Sequence, residues 1–306
     1  MALIPSLVRL GRRSPRLAWF VRALFREWYG LPVPPGHYYS PYPDVVALKA
    51  NAARWYREDI APGIDWNAEG QLALVTALAT RVAELGALPS ATLAAAHGQG
   101  YGEVEASVLY LMLRHLKPRR VIEVGSGAST LYIDAALSAN RAAGAAEPRL
   151  TCIEPFPNDA LRARLAASRA ELMVREVQDA GVEPFAELER GDVLFIDSTH
   201  VSRTDSDVNF LVLDVLPRLA PGVVVHFHDI PMPYPSTPPG HPLYDYSLIW
   251  NEAALVRAFL SFNTAFRILM AQAWLHVHHP AALRALHPGY DPARHFPTSL
   301  WIVRGG

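Results

Sequence analysis

The sequence predicts an α/β protein built on a doubly wound, mostly parallel sheet, and three observations predict it. Short apolar runs alternate with stretches of helical spacing from about residue 100 onward, the pattern of strand–crossover–strand units. The first such run, Val121 to Val124, breaks at Gly125-Ser126-Gly127 before a helical stretch. Strand, glycine turn and helix form the opening unit of doubly wound folds. Polar residues follow every apolar run: Gly125-Ser126-Gly127, Glu154, Gln178-Asp179, Asp197-Ser198-Thr199-His200 and His228-Asp229. Ligands bind at the carboxyl ends of parallel strands, and a purely structural sheet has no need of polar residues there.

Taken in order, residues 30–45 (GLPVPPGHYYSPYPDV) are too rich in proline for a regular helix or a central strand. They form an extended arm, either a linker pinned by aromatic packing or a lid in which the polar-tipped His37, Tyr38, Tyr39, Ser40 and Tyr42 close over a ligand. Residues 44–59, 69–86 and 89–97 have helical character, marked by Leu72, Val75, Leu78 and Val82. The break at Gly98-Gln99-Gly100-Tyr101-Gly102 divides an N-terminal helical extension, 1–100, from the main domain, 101–306. Residues 103–116 are the helix that enters the first strand. Strands follow at 150–154, 172–177, 192–196 and 223–227, with helices at 158–170 and 206–219 and a short helix or turn at 181–189 between them. A proline-rich loop (230–245), a helix (250–262) and strands at 266–271 and 299–304 complete a seven-stranded sheet. The His- and Pro-rich stretch 273–297 carries no assigned element.

Composition sets the outer limits. Hydrophobic residues make up 51% and charged residues 19%, enough for a sizeable core. The net charge of -1 gives no global basis for nucleic-acid binding. Cys152 is the only cysteine, so no internal disulfide forms, in keeping with a cytoplasmic location. No apolar run reaches the roughly 18 residues of a membrane span. Residues 1–30 interleave six arginines with Leu17, Trp19, Phe20, Leu24, Phe25 and Trp28. Arginines interrupt the apolar part, unlike a signal peptide. The segment suits a helix packed on its own domain or on a second copy in a homo-oligomer, or a peripheral membrane contact.

Details around the glycine turn narrow its meaning. Thr130 stands where the dinucleotide fingerprint G-x-G-x-x-G needs its third glycine. Glu123 lies two residues before the first glycine, and Glu154 ends the next apolar run. With acid-x-Gly-x-Gly followed by an acid closing strand two, residues 100–306 resemble the class I S-adenosylmethionine-dependent methyltransferases, whose sheet is Rossmann-like. The resemblance implies S-adenosyl-L-methionine as cofactor. Glu123, Gly125, Ser126, Gly127 and the helix cap Ser129 would then serve the methionine end, and Glu154 the ribose hydroxyls. Asp179 would meet the adenine amino group, and Asp197 would be a further cofactor-binding residue. The resemblance also implies an antiparallel strand inserted beside the fifth, for which 299–304 is the candidate.

Asp197 and the pair His228-Asp229 resemble a Mg²⁺-requiring branch of that family, in which the strand-five pair is Asp-Asn rather than His-Asp. Asp197, His228 and Asp229 would hold the ion, with His200 or His226 as proton acceptor; without an ion, His228 would be the base and Asp229 would orient it. The segment Tyr39-Ser40-Pro41-Tyr42-Pro43 resembles one that precedes the fold in some such enzymes and implies a lid. The expected reaction is O-methylation of a hydroxyl on a small molecule or sugar. An NAD-dependent oxidoreductase is the alternative, opposed by Thr130 and Glu123. A non-catalytic scaffold is a third, opposed by the intact set Glu123, Glu154, Asp197 and Asp229.

Overall fold

The computed structural model describes residues 19–20, 23–24, 26–27, 38–59, 61–97, 100–238 and 250–306. The chain divides into two compact units, Met1–Arg57 with Pro238–Ser247, and Glu58–Thr237 with Leu248–Gly306. In the first unit, α1 (Val45–Ala50) begins at Asp44, whose carboxylate accepts the Ala47 N–H, and α2 (Ala52–Trp55) follows. Tyr38 and Tyr39 are exposed and lie ring to ring at 4.2 Å. Most of the basic segment 1–30, and His37 of the arm, lie outside the described residues.

The second unit begins well before residue 100. Its α3 (Ala68–Ala79) carries Gln71, fully buried, whose amide donates to the Trp66 carbonyl and accepts from the Ala271 N–H. Trp66 also stacks on Trp274 at 5.9 Å. These long-range contacts attach residues 58–100 to the sheet unit, and helical spacing alone does not reveal them. The further helices are α4 (Ala91–Ala95), α5 (Glu103–Leu116), α6 (Ala128–Ala142), α7 (Asp159–Ala166), α8 (Val177–Ala180) and α9 (Glu183–Ala186). After them come α10 (Asp207–Asn209, continuing as a π-helical turn over Phe210–Val215), α11 (Glu252–Leu260), α12 (Gln272–His278) and α13 (Pro280–Leu286). The last two fill the stretch to which the sequence assigned no element.

The strands are β1 (Arg120–Val124), β2 (Arg149–Ile153), β3 (Glu171–Met173), β4 (Val193–Ile196), β5 (Val224–Phe227), β6 (Phe266–Ala271) and β7 (Leu300–Arg304). They form one seven-stranded sheet in the order β3-β2-β1-β4-β5-β7-β6. β1 to β5 pair in parallel, and β7 runs antiparallel between β5 and β6 as expected. Every residue of β4 and β5 is buried, as in parallel strands covered on both faces. Phe195, Phe227 and Trp301 are fully buried, each contributing about 1.5–3 kcal/mol of apolar transfer. The strand order reverses between β1 and β4, which opens a crevice at their carboxyl ends. Val124 pairs with Ile196, so Gly125 and Asp197 leave the sheet side by side. Among the described residues, no helix is long and apolar enough to cross a membrane.

Candidate active site

Gly125 is set by its neighbour. Its φ is +79°, and a Cβ there would stand 1.7 Å from the Asp197 carbonyl oxygen. Only glycine tolerates both the angle and the approach. Beneath the turn, Glu123 is completely buried and accepts hydrogen bonds from Ser129 Oγ and Thr130 Oγ1, both at 2.7 Å, and from Cys152 Sγ at 3.4 Å. Burial pushes its carboxyl up to about 7 against the pull of those donors. Glu123 thus ties strand, turn and helix together beneath the turn. Ser129 is likewise not the cap. Gly127 occupies the cap position and its N–H donates to Thr130 Oγ1 at 3.1 Å. Thr130 therefore has its own task where the dinucleotide fingerprint would place glycine.

Beside the turn lies a cleft of about 360 Å³, lined among others by Gly125, Glu154, Phe156, Gln178, Asp197 and Ser198. The Glu154 carboxylate accepts the Ser126 N–H at 3.2 Å and the Phe156 N–H at 2.7 Å. These bonds fix it at the tip of β2 and leave lone pairs for a diol. Phe156 is 85% exposed, a flat apolar face on the cleft wall. Ser198 Oγ is buried without a hydrogen-bond partner. A bare backbone turn, a fixed carboxylate, an exposed ring and an orphaned hydroxyl fit a nucleoside bearing a polar tail. Asp179 does not join them. β3 ends at Met173, earlier than its apolar alternation suggested, so residues 177–180 coil into α8. Gln178 then faces the cleft, and Asp179 is exposed outside it. A second depression, about 390 Å³, lies among Asp134, Arg141, Glu147, Arg164 and Arg169, whose charges pair with one another.

At the tips of β4 and β5, the structure brings together Asp197, His200, His228 and Asp229, with one ligand atom from each inside a 4.8 Å span. His200 and His228 are almost fully buried, and Asp197 and Asp229 are partly so. His200 and Asp229 hold left-handed backbone angles, φ 60° and 57°, a strain of about 1–3 kcal/mol each that such sites store. The strained loop is clamped. The His200 carbonyl accepts the Asn251 and Glu252 N–H groups at 3.0 and 3.2 Å. Asp207 accepts the Thr199 N–H and Oγ1 at 2.8 and 2.7 Å.

Further residues that the sequence did not single out complete the cluster. Glu252, buried at the start of α11, bonds His200 Nδ1 at 2.8 Å. Glu105, buried on α5, lies 3.4 Å from His228 Nε2. Thr298 Oγ1 donates to Asp229 Oδ1 at 3.0 Å. Tyr101 stacks on His228 at 4.8 Å, and Trp250 tilts over His200 at 4.4 Å. Burial pulls the His200 imidazole down, but its bonds to Asp197 and Glu252 outweigh this and raise it to about 10. Burial would raise Asp197, yet the facing His228 and His200 hold it far below the carboxylate range. His200 is thus engaged at both nitrogens and is no free base. His226 is excluded too: it lies fully buried, flat against Phe195 at 4.2 Å, and burial pulls its imidazole well down.

Sheet order and cleft define the class: a Rossmann-like fold of the class I methyltransferase type. Residues 122–230, from β1 past β5, match the family model described as a methyltransferase domain. An uncharacterised protein of Archaeoglobus fulgidus is 29% identical over 185 residues, covering 56% of this chain and 82% of that protein. Among solved structures, the O-methyltransferase TomG from Streptomyces achromogenes, involved in tomaymycin synthesis and in complex with S-adenosylmethionine, aligns at TM-score 0.46. Its identity is 16%, over 85% of this chain and 96% of that one. The O-methyltransferase from Bacillus cereus, in complex with S-adenosylhomocysteine, aligns at TM-score 0.41 and 13% identity, over 85% and 97%. The part of the chain that carries the glycine turn and the strand tips is thus similar to a methyltransferase domain, on a sheet of Rossmann-like order.

Proposed function

We propose that the protein transfers a methyl group from S-adenosylmethionine to a hydroxyl of a small molecule or sugar. One observation carries this reading: Asp197 belongs both to the cofactor cleft and to the cluster with His200, His228 and Asp229. The donor site and a polar, charge-dense acceptor site therefore meet at one residue.

When bound, the cofactor supplies a methyl on a positively charged sulfur. The chain's part is to hold and align. Glu154 takes the ribose diol, Phe156 covers the base, and the Gly125 turn lets the methionine portion lie against the backbone. Asp197 faces both sites and favours the positive sulfur. The cluster would bind the acceptor hydroxyl and take its proton, so that the oxygen attacks in line as the methyl–sulfur bond breaks and S-adenosylhomocysteine leaves. Tyr101 and Trp250 give the acceptor apolar walls beside polar groups, as a sugar or hydroxylated ring requires.

The test is incubation with isotopically labelled S-adenosylmethionine and a panel of sugars, phenols, amines and thiols, read by mass spectrometry. Methyl ethers are the expected products. Methylation confined to amines or thiols refutes the acceptor class, and absence of S-adenosylhomocysteine binding in calorimetry refutes the cofactor.

A further inference from the structure

We propose that the amphipathic segment 16–29 docks the protein on an anionic lipid surface, with its apolar stripe in the interface and its arginines on the lipid phosphates. The proposal goes beyond the methyltransferase reading and does not depend on it.

The spacing of the residues defines the stripe. Leu17, Phe20, Val21, Leu24, Phe25 and Trp28 stand at i, i+3, i+4, i+7, i+8 and i+11, one side of a 3.6-residue helix. Arg16, Arg22, Arg26 and Glu27 fall outside that stripe. The structure agrees wherever it describes the segment. Residues 19, 20, 23, 24, 26 and 27 are all helical. Phe20 and Leu24, one turn apart on the stripe, are 54% and 40% exposed. The Arg26 and Glu27 side chains are exposed as well. A helix that served the core of its own chain would bury its apolar side, and these two members of the stripe are open.

Charge decides what covers it. Residues 1–30 carry six arginines against Glu27 alone, a net +5. The whole chain is -1, so the remaining residues carry -6. Positive charge is thus concentrated on the one segment that also presents a bulky apolar stripe. An anionic leaflet attracts such a segment, each arginine near the surface adding to the attraction. Arginine stems lie along apolar surface while the guanidinium groups reach the phosphates. Trp28 closes the stripe with an amphipathic ring of the kind that sits at headgroup level. An arginine-rich side opposite Phe, Leu and Trp is the composition of helices that lie in the interface plane.

A second copy fits the stripe less well. Two such helices face to face would set arginines against arginines, with only Glu27 on each to offset them. The sheet unit offers no matching patch among the described residues. Its exposed large apolar side chains, Leu93, Phe156, Val174, Leu213 and Phe262, stand singly on separate elements, which is ordinary for a protein surface.

The test is flotation of the full chain with vesicles of phosphatidylcholine alone and of phosphatidylcholine with phosphatidylglycerol in equal parts. The protein should bind the anionic vesicles about 10-fold or more tightly than the neutral ones, and binding should weaken as salt rises. Phe20→Asp combined with Leu24→Asp should abolish binding. Arg26→Glu should weaken it about 5-fold or more. Leu213→Asp, at an exposed apolar residue of the sheet unit, should leave it unchanged. All variants should keep their circular dichroism. Should the double variant not fold, Arg26→Glu against Leu213→Asp decides. No flotation with anionic vesicles, equal binding to both kinds, or binding that survives the double substitution overturns the proposal. A dimer seen by light scattering, dispersed by the double substitution and indifferent to vesicles, overturns it in favour of a second copy. Calorimetry with S-adenosylhomocysteine on the same samples reports separately on the methyltransferase reading.

Discussion

Replacing Glu123 by glutamine tests whether this acid is a structural tie or a cofactor ligand. In the folded chain its carboxyl is completely buried, and burial pushes it up to about 7 from its ordinary value of 4.5. A carboxyl raised in the folded state favours folding most while both states are protonated, below the unfolded value. That contribution is lost as the pH climbs from the unfolded towards the folded value. The full difference of about 2.5 units corresponds to about 3 kcal/mol above neutrality, of which about 2 kcal/mol falls between pH 5.5 and 8. Glutamine has the same shape and no charge to desolvate. Ser129 and Thr130 can turn their hydroxyls to suit the amide, and any loss there does not change with pH.

The assay is urea denaturation of wild type and Glu123→Gln at both pH values. All other titrating groups are common to the two proteins and cancel. The stability of the variant relative to wild type should rise by about 2 kcal/mol from pH 5.5 to pH 8. S-Adenosylhomocysteine should bind the variant within a few-fold of wild type, because Glu123 faces the protein. A pH-independent difference refutes the buried-charge argument. A collapse of cofactor affinity in a stably folded variant refutes the placement of Glu123 beneath the turn.

Three other outcomes follow from the same geometry. Gly125→Ala should abolish binding of S-adenosylhomocysteine in calorimetry, because its Cβ falls 1.7 Å from the Asp197 carbonyl and φ is +79°; a variant that binds normally shows that the turn can relax. Glu154→Ala should weaken that binding by about 1–3 kcal/mol, the scale of charged hydrogen bonds to a diol, with the melting temperature of the cofactor-free protein little changed. Deleting residues 1–57 should leave a folded domain that melts within a few degrees of the full chain, because the buried core runs from Ala61 to Ile302; an insoluble or molten product contradicts this.

The sequence made the cradle legible because its constraints are local. Gly125 answers a close approach by the next strand, and Glu154 ends its strand one step before Pro155. The tip of β4 and the pair after β5 were legible for the same reason, since each lies where a buried apolar run stops. The supports were not. Glu252 reaches His200 across 52 positions and Thr298 reaches Asp229 across 69, and neither stands out from its local run. β3 was overextended for a different reason. Leu172 to Val177 alternates as a strand would, but only Glu171–Met173 pair with β2, and Val177 buries itself from a helix instead. The residues 206–219 have plain helical spacing, yet the chain passes through a π-helical turn at Phe210–Val215.

Asp197 joins the parts of the site mechanically as well as chemically. Its carbonyl oxygen occupies the space that a side chain at position 125 would need, its N–H bonds Val124, and its carboxylate belongs to the four-residue cluster. A change in the glycine turn must therefore move the cluster, and a change in the cluster must reach the turn through one residue. Methyl transfer depends on holding donor sulfur, methyl and acceptor oxygen in line, and a misplacement of about 1 Å costs roughly 10²-fold in rate. A cradle and a cluster on separate loops would have to meet that tolerance through two independently mobile segments. Here the cradle hangs from β1 and the cluster from β4 and β5, adjacent parallel strands in register, with Val124 against Ile196 and Ile196 against Phe227. The sheet itself therefore sets the distance between cradle and cluster. That rigidity explains why glycine at 125, rather than any residue that merely permits a turn, is what this arrangement demands.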